Sequence, residues 1–229
     1  MVARSLWKSF GRNWKLGGTN SVVGRWCFIF CNRGSTLQRT IPVTTPDAMP
    51  HIDLPEDLPG ILSPMKKYPN TGGLISKLVQ EVLREPSPLE PGQREMIAAY
   101  TSARNDCTFC EGAHSATAGE LLRDKALVEQ VKAEVEAAPI SDKMKALLAI
   151  SAKVQEDARD VSDEDVARAR QEGATDKAIH DTVLITAVFS MCNRYVDGLD
   201  TPVPDDKEEY AEHGKALADE GYGLTTHPW

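Results

Sequence analysis

From residue 72 onward, apolar side chains return at the three-to-four-residue spacing of a helix that turns one face to a core. Leu74, Leu78 and Val82, flanked by Ile75, Val79 and Leu83, form one such stripe. Residues 92–105 and 107–124 continue the pattern as a second and a third helix, and 126–137 as a short, charged fourth. Met144, Leu147, Leu148, Ser151 and Val154 mark a fifth, with Ser141 placed to cap its first turn. Residues 161–172 follow, with Ser162 as cap, Glu164 and Asp165 in the first turn and Gly173 at the end. Residues 176–199 are apolar on nearly every side between Thr182 and Met191, which predicts the most buried helix. A last stretch, 205–219, reads as an amphipathic, exposed helix. No run alternates apolar and polar residues between hairpin turns. The fold class is therefore all-α, a compact multi-helix bundle.

Proline sharpens the boundaries. Ten of the 14 prolines lie between Pro42 and Pro91, and only Pro139 interrupts the stretch from Gly92 to Thr201. Proline lacks the backbone donor and clashes inside a helix, so the lead-in over residues 49–71 is expected to be extended and turn-rich, wrapping over a helical domain at 72–220. Residues 221–229 form a tail.

Charge sets off another segment. Residues 1–48 carry seven basic residues and one acid, Asp47, leaving 19 basic against 33 acidic residues in the rest of the 229-residue chain. A basic, serine-containing, nearly acid-free stretch has the composition of a transit peptide. A start codon read too early, with Met49 as the true start, gives the same composition and is the favoured reading, and a functional tail is a third. It is expected to be disordered, cleaved or mis-annotated. The overall net charge of −8 argues against general nucleic-acid binding, which needs a basic face. No apolar run approaches the roughly 20 residues that span a bilayer. The expected compartment is the cytoplasm, with organelle targeting by residues 1–48 as the alternative.

Candidate chemistry concentrates in one segment. Glu95 is followed by Cys107-Thr-Phe-Cys110-Glu-Gly-Ala-His114. Two cysteines two residues apart can form a small reversible disulfide. Asn105 and Asp106 are good N-caps, which places the pair in the first turn of a helix, where free N–H groups and the positive dipole end stabilise a thiolate. The first cysteine of such a pair is expected to be the more exposed. His114 lies one helical turn beyond Cys110, on the same face, and can take a thiol proton near neutral pH. Glu95 reaches that histidine if the two helices pack antiparallel. The chemistry this suggests is a thiolate attacking peroxide to give a sulfenic acid, which the other thiol resolves as a disulfide. Two buried apolar cysteines, or a zinc site on Cys107, Cys110 and His114, are the competing readings; a structural zinc normally takes four ligands.

The remaining candidates carry less. Cys192 reads as a buried small residue and His180 as a surface residue opening its helix. His51, His213 and His227 stand in polar, proline-rich or terminal contexts. Asn193, Arg194 and Asp197 read as a hydrogen-bond cluster, with an Arg194–Asp197 pair at helical spacing.

The combination of Glu95, C-T-F-C-E-G-A-H, "SDKMKALLAISAKV" and "VSDEDVARARQEGATDKAIHDTVLITAVFSMCNRYVDGL" resembles the alkylhydroperoxidase AhpD-like branch of the carboxymuconolactone decarboxylase superfamily, over roughly residues 55–205. The resemblance implies an all-α fold, homo-oligomers, and reduction of a hydroperoxide without cofactor or metal. A lipoyl-bearing or thioredoxin-like protein would be the thiol reductant. Carried over by position, Cys110 is the attacking thiolate, Cys107 the resolving thiol, and His114 and Glu95 the proton relay. The founding peroxidases place a histidine where this chain has Phe109, which is similar to the peroxidase-related branch. Phe109 removes one relay member and makes the pocket more apolar. Two alternatives accompany this reading: lactone or decarboxylase chemistry, as in the cysteine-free branch, and a non-enzymatic redox switch in an oligomer.

Overall fold

A computed structural model of the chain describes residues 49–55 and 58–223. The basic extension over 1–48, its expected origins, and residues 224–229 lie outside the described residues. The described residues are helical with no strand.

The lead-in is shorter than its prolines suggest. Helix α1 (Leu62–Lys67) and the first turn of α2 (Pro69–Arg84) occupy ground expected to be extended, while the rest of α2 follows the Leu74–Leu78–Val82 stripe. Pro64 is the third residue of α1 and Pro69 the first of α2, so both stand in first turns, where the missing N–H has no intrahelical partner to lose. The stretch before α1 does wrap over the domain. His51 N donates to the Leu199 carbonyl at 3.0 Å, and Gly60 N donates to that of Pro202 at 2.8 Å.

The helices that follow are α3 (Pro91–Arg104), α4 (Thr108–Leu122), α5 (Lys125–Ala133), α6 (Asp142–Asp157), α7 (Asp163–Gln171), α8 (Asp176–Gly198) and α9 (Lys207–Glu220). Their starts follow local chemistry. Ser141 accepts from Met144 N, and Ser162 and Asp165 form a reciprocal capping box. Gly173, at φ +88°, closes α7.

Two expectations about burial are corrected. The most enclosed helix is α3, buried continuously from Arg94 to Ser102, whereas α8 exposes Ala187 and Met191. The small residues Ala98, Ala99, Thr101 and Ser102 let neighbouring helices close on α3 from every side, which its low apolar content hides. α9 is amphipathic as read and exposes much of its length, but one face is not exposed: His213, Gly214 and Leu217 are buried against α4. A side chain at Gly214 would stand 2.6 Å from the Ala116 Cβ, so glycine is what permits the close approach. No helix among the described residues is long and apolar enough to cross a membrane.

Candidate active site

α3 and α4 pack against each other as an antiparallel hairpin joined by only three residues, 105–107. The turn is made by Asn105, the C-cap of α3, and by Asp106 in the left-handed region at φ +57°. Neither caps α4. Cys107 is its N-cap residue, and Cys110 stands in its first turn. Asn105 instead donates to Asn193 Oδ1 at 2.8 Å, and Asn193 donates to Ser102 Oγ at 3.1 Å, stitching the turn to α8. Asn193 thus belongs to a buried cluster, but Arg194 turns back to the Ser190 carbonyl instead of pairing with Asp197. Asp197 lies beside Cys107, where burial first holds its carboxyl above the usual range against the thiol hydrogen bond and the Arg194 charge.

Both site cysteines are buried, and the order of exposure is the reverse of that expected. Cys107 is 0% exposed and Cys110 3%. Cys110 lines a cavity of about 600 Å³ and Cys107 does not. The Cys107 thiol is pushed well up, first by its hydrogen bond to Cys110 and then by burial, so it keeps its proton.

His114 shares the cavity with Cys110. Its ring meets Phe189 edge-on at 4.3 Å. Its Nδ1 stands 2.7 Å from Glu95 Oε2, and Glu95 is completely buried. Burial alone would raise the Glu95 pKa. The hydrogen bond and charge of His114, the charge of Arg84 and a hydrogen bond from Tyr222 outweigh it, and the carboxyl is held below its ordinary value. An ionised carboxylate only accepts, so the proton of a neutral imidazole sits on Nδ1 and the basic lone pair on Nε2.

Sequence reasoning missed two members of this cluster. Arg84, at the end of α2, places Nη2 2.6 Å from Glu95 Oε1. Tyr222, just beyond α9, donates from its hydroxyl to the same oxygen at 2.7 Å. Neither lies near the cysteine motif in sequence, and an arginine closing a helix or a tyrosine in a tail carries no signal of its own. His213 was also missed as a lining residue: α9 buries it on the cavity wall. Cys192 is buried as expected but lines the same cavity, its thiol pushed to about 12 by burial. His180 is a surface residue beside Asp181, 3.0 Å away. His51 is exposed, and His227 lies outside the described residues.

The cavity walls are mostly apolar: Ile61, Leu62 and Met65 from the α1 region, Val79 from α2, Phe109 and Ala113 from α4, and Phe189 from α8. Phe109 packs over the backbone of Gly60, where a Cβ would fall 2.1 Å from the ring, and Gly60 is left-handed at φ +54°. Among the described residues, no three His, Cys, Asp or Glu side chains converge as a metal site requires.

An all-α bundle with a C-x-x-C pair at a helix start, backed by a buried Glu–His pair, defines a class of thiol-bearing helical proteins. The comparisons agree with that class. The AhpD core of an uncharacterised peroxidase-related protein from Ralstonia eutropha shares 26% identity, covering 69% of this chain and 82% of that one, with a TM-score of 0.62. An uncharacterised peroxidase-related protein from a Silicibacter species shares 24% identity over 74% of this chain and 97% of that one, with a TM-score of 0.60. A protein of unknown function from Agrobacterium tumefaciens shares the fold at 19% identity, over 62% of this chain and 96% of that one, with a TM-score of 0.56. No family model matches the chain, and no curated protein does. These likenesses show that the fold is AhpD-like and support an assignment to that superfamily.

Proposed function

We propose that the protein is a cysteine-dependent thiol peroxidase acting on a hydroperoxide. The observation that carries this reading is the shared cavity. Cys110 and His114 line one apolar chamber, and His114 is held from behind by the buried Glu95 carboxylate 2.7 Å from Nδ1. In this reading His114 Nε2 takes the Cys110 proton. The thiolate attacks one peroxide oxygen and the O–O bond breaks. The departing alkoxide takes the proton back from His114, giving an alcohol and a Cys110 sulfenic acid. Cys107 then displaces the sulfenic hydroxyl as water and closes the Cys107–Cys110 disulfide. A dithiol donor, lipoyl-bearing or thioredoxin-like, restores both thiols by exchange.

The different environments of the two cysteines support this division of labour. Cys107 stays protonated until a sulfenic acid is present, so the attacking and resolving roles do not compete. Homo-oligomeric assembly belongs to the same reading.

The test is peroxide consumption by the reduced protein with a dithiol reductant. Cys110→Ser is expected to reduce the rate to that of buffer. Cys107→Ser is expected to permit a single oxidation and then stall. Equal rates for wild type and Cys110→Ser would remove Cys110 from the reaction.

A further inference from the structure

We propose that Tyr222 is a positioning residue of the thiol site, and that the short segment carrying it forms the closing wall of the cavity; this rests on the proposed reactivity of Cys110 and His114.

The segment is fastened at several points. Gly221, at φ +77°, turns the chain out of α9. Tyr222 N then donates to Gln80 Oε1 at 2.8 Å, and Ser76 Oγ donates to the Tyr222 carbonyl. Arg84 adds a bond from Nη2 to the Leu217 carbonyl at 3.1 Å. These contacts tie the end of the domain to α2, more than 130 residues away in sequence.

They also deliver the phenol to one place. The hydroxyl donates to Glu95 Oε1 at 2.7 Å and stands 3.2 Å from His114 Nδ1. The ring lies over the Arg84 guanidinium at 4.9 Å and nearly parallel to the His114 ring, at 24° with centroids 6.0 Å apart. Arg84 and Tyr222 therefore occupy Oε1 together, which leaves Oε2 to His114. The carboxylate is pinned from both ends, and the imidazole with it.

Tyr222 acts through its hydroxyl, which donates to Glu95 and stays protonated. Burial, then the Glu95 charge, hold its phenol well above the ordinary range, so it does not ionise near neutrality. Losing the hydroxyl removes one of the bonds that favour the Glu95 carboxylate, so Glu95 takes up a proton at higher pH. A protonated Glu95 no longer fixes the His114 tautomer. The ring does a second, separable job: with Gly223 it lines the cavity.

Two substitutions in the full-length reduced protein separate these roles, read as site-resolved alkylation of Cys110 against pH. With iodoacetamide, Tyr222→Phe keeps the ring and loses the hydroxyl. Its acid limb is expected to move toward neutrality by half a pH unit or more, with a rate at pH 6 at least three-fold below wild type. Tyr222→Ala is expected to show the same shift and, in addition, a five-fold or larger gain for N-ethylmaleimide relative to iodoacetamide, because the wall is open. A Tyr222→Phe profile superimposed on the wild type would overturn the positioning role. A Tyr222→Ala reagent ratio equal to that of Tyr222→Phe would overturn the wall. A parallel arm exposes wild type to cumene hydroperoxide. Unoxidised Cys110 there, together with a shifted Tyr222→Phe profile, would refute peroxide chemistry and support the positioning role.

Discussion

Three thiols within one small region have three different electrostatic settings. Cys110 stands at a helix start on the cavity, Cys107 is enclosed and keeps its proton beside Cys110, and Cys192 is buried with its thiol pushed to about 12. Thiolate is the reactive form, so brief iodoacetamide treatment of the folded, reduced protein at pH 7.5 should label Cys110 and leave Cys192 unmodified; peptide mass mapping checks it. Glu95 carries a second prediction. Glu95→Gln leaves the part-buried Arg84 beside a neutral amide, and breaking such an ion pair costs up to roughly 3–5 kcal/mol, measurable by urea unfolding. The C-x-x-C pair, the histidine one turn on and the carboxylate were legible because helical spacing fixes which side chains share a face. Arg84 and Tyr222 were not, because their contacts are made by tertiary docking of α2 and the end of the chain onto α3.

At the level of elements, the site depends on how closely α9 approaches α4. Gly112 lies under the Tyr210 ring, with a hypothetical Cβ 2.7 Å from it, and Gly214 lies against the Ala116 and Thr117 backbone. Gly214→Val has no space to occupy and should cost about 1–3 kcal/mol, lowering the urea midpoint. It should also loosen the cavity wall that His213 and Leu217 supply. Helix positions could be read from periodicity and caps, and the boundaries at Ser141, Ser162 and Gly173 match the observed ends. What periodicity does not carry is packing order. It favoured α8 for its apolar run and overlooked α3, whose Arg94 and Glu95 are buried because each has partners. Arg94 donates to the Glu85 carbonyl at 2.8 Å at the end of α2, while Glu95 holds the site. The prolines misled for a similar local reason: Pro64 and Pro69 stand in the first turns of helices.

For the molecule as a whole, the Arg84–Glu95–His114–Tyr222 cluster, buried at Glu95 and His114, ties together α2, α3, α4 and the segment after α9. Its contribution to stability has a definite pH sign. The folded-state pKa of Glu95 lies below its unfolded value, so its stabilisation is present above the unfolded carboxylate range, about 4.3, and is lost as pH falls through the folded value. Stability of the wild type should therefore fall on acidification below about pH 4 more steeply than that of Glu95→Gln, as urea midpoints measured across that range would show. The all-α class and the AhpD-like fold were legible in the sequence, the class from helical periodicity and the likeness from one motif and its downstream text. The cavity was not, because its walls come from α1, α2, α4, α8, α9 and the segment after α9, and only the assembled fold brings them together. The central claim, that peroxide oxidises Cys110 and Cys107 resolves it, is tested most directly by intact and peptide mass measurement after one equivalent of hydroperoxide is added to the reduced protein. The expected result is the loss of two hydrogen atoms, mapped to a Cys107–Cys110 disulfide and absent in Cys110→Ser. An unchanged mass, or oxidation located elsewhere with Cys107 and Cys110 still free, would contradict it.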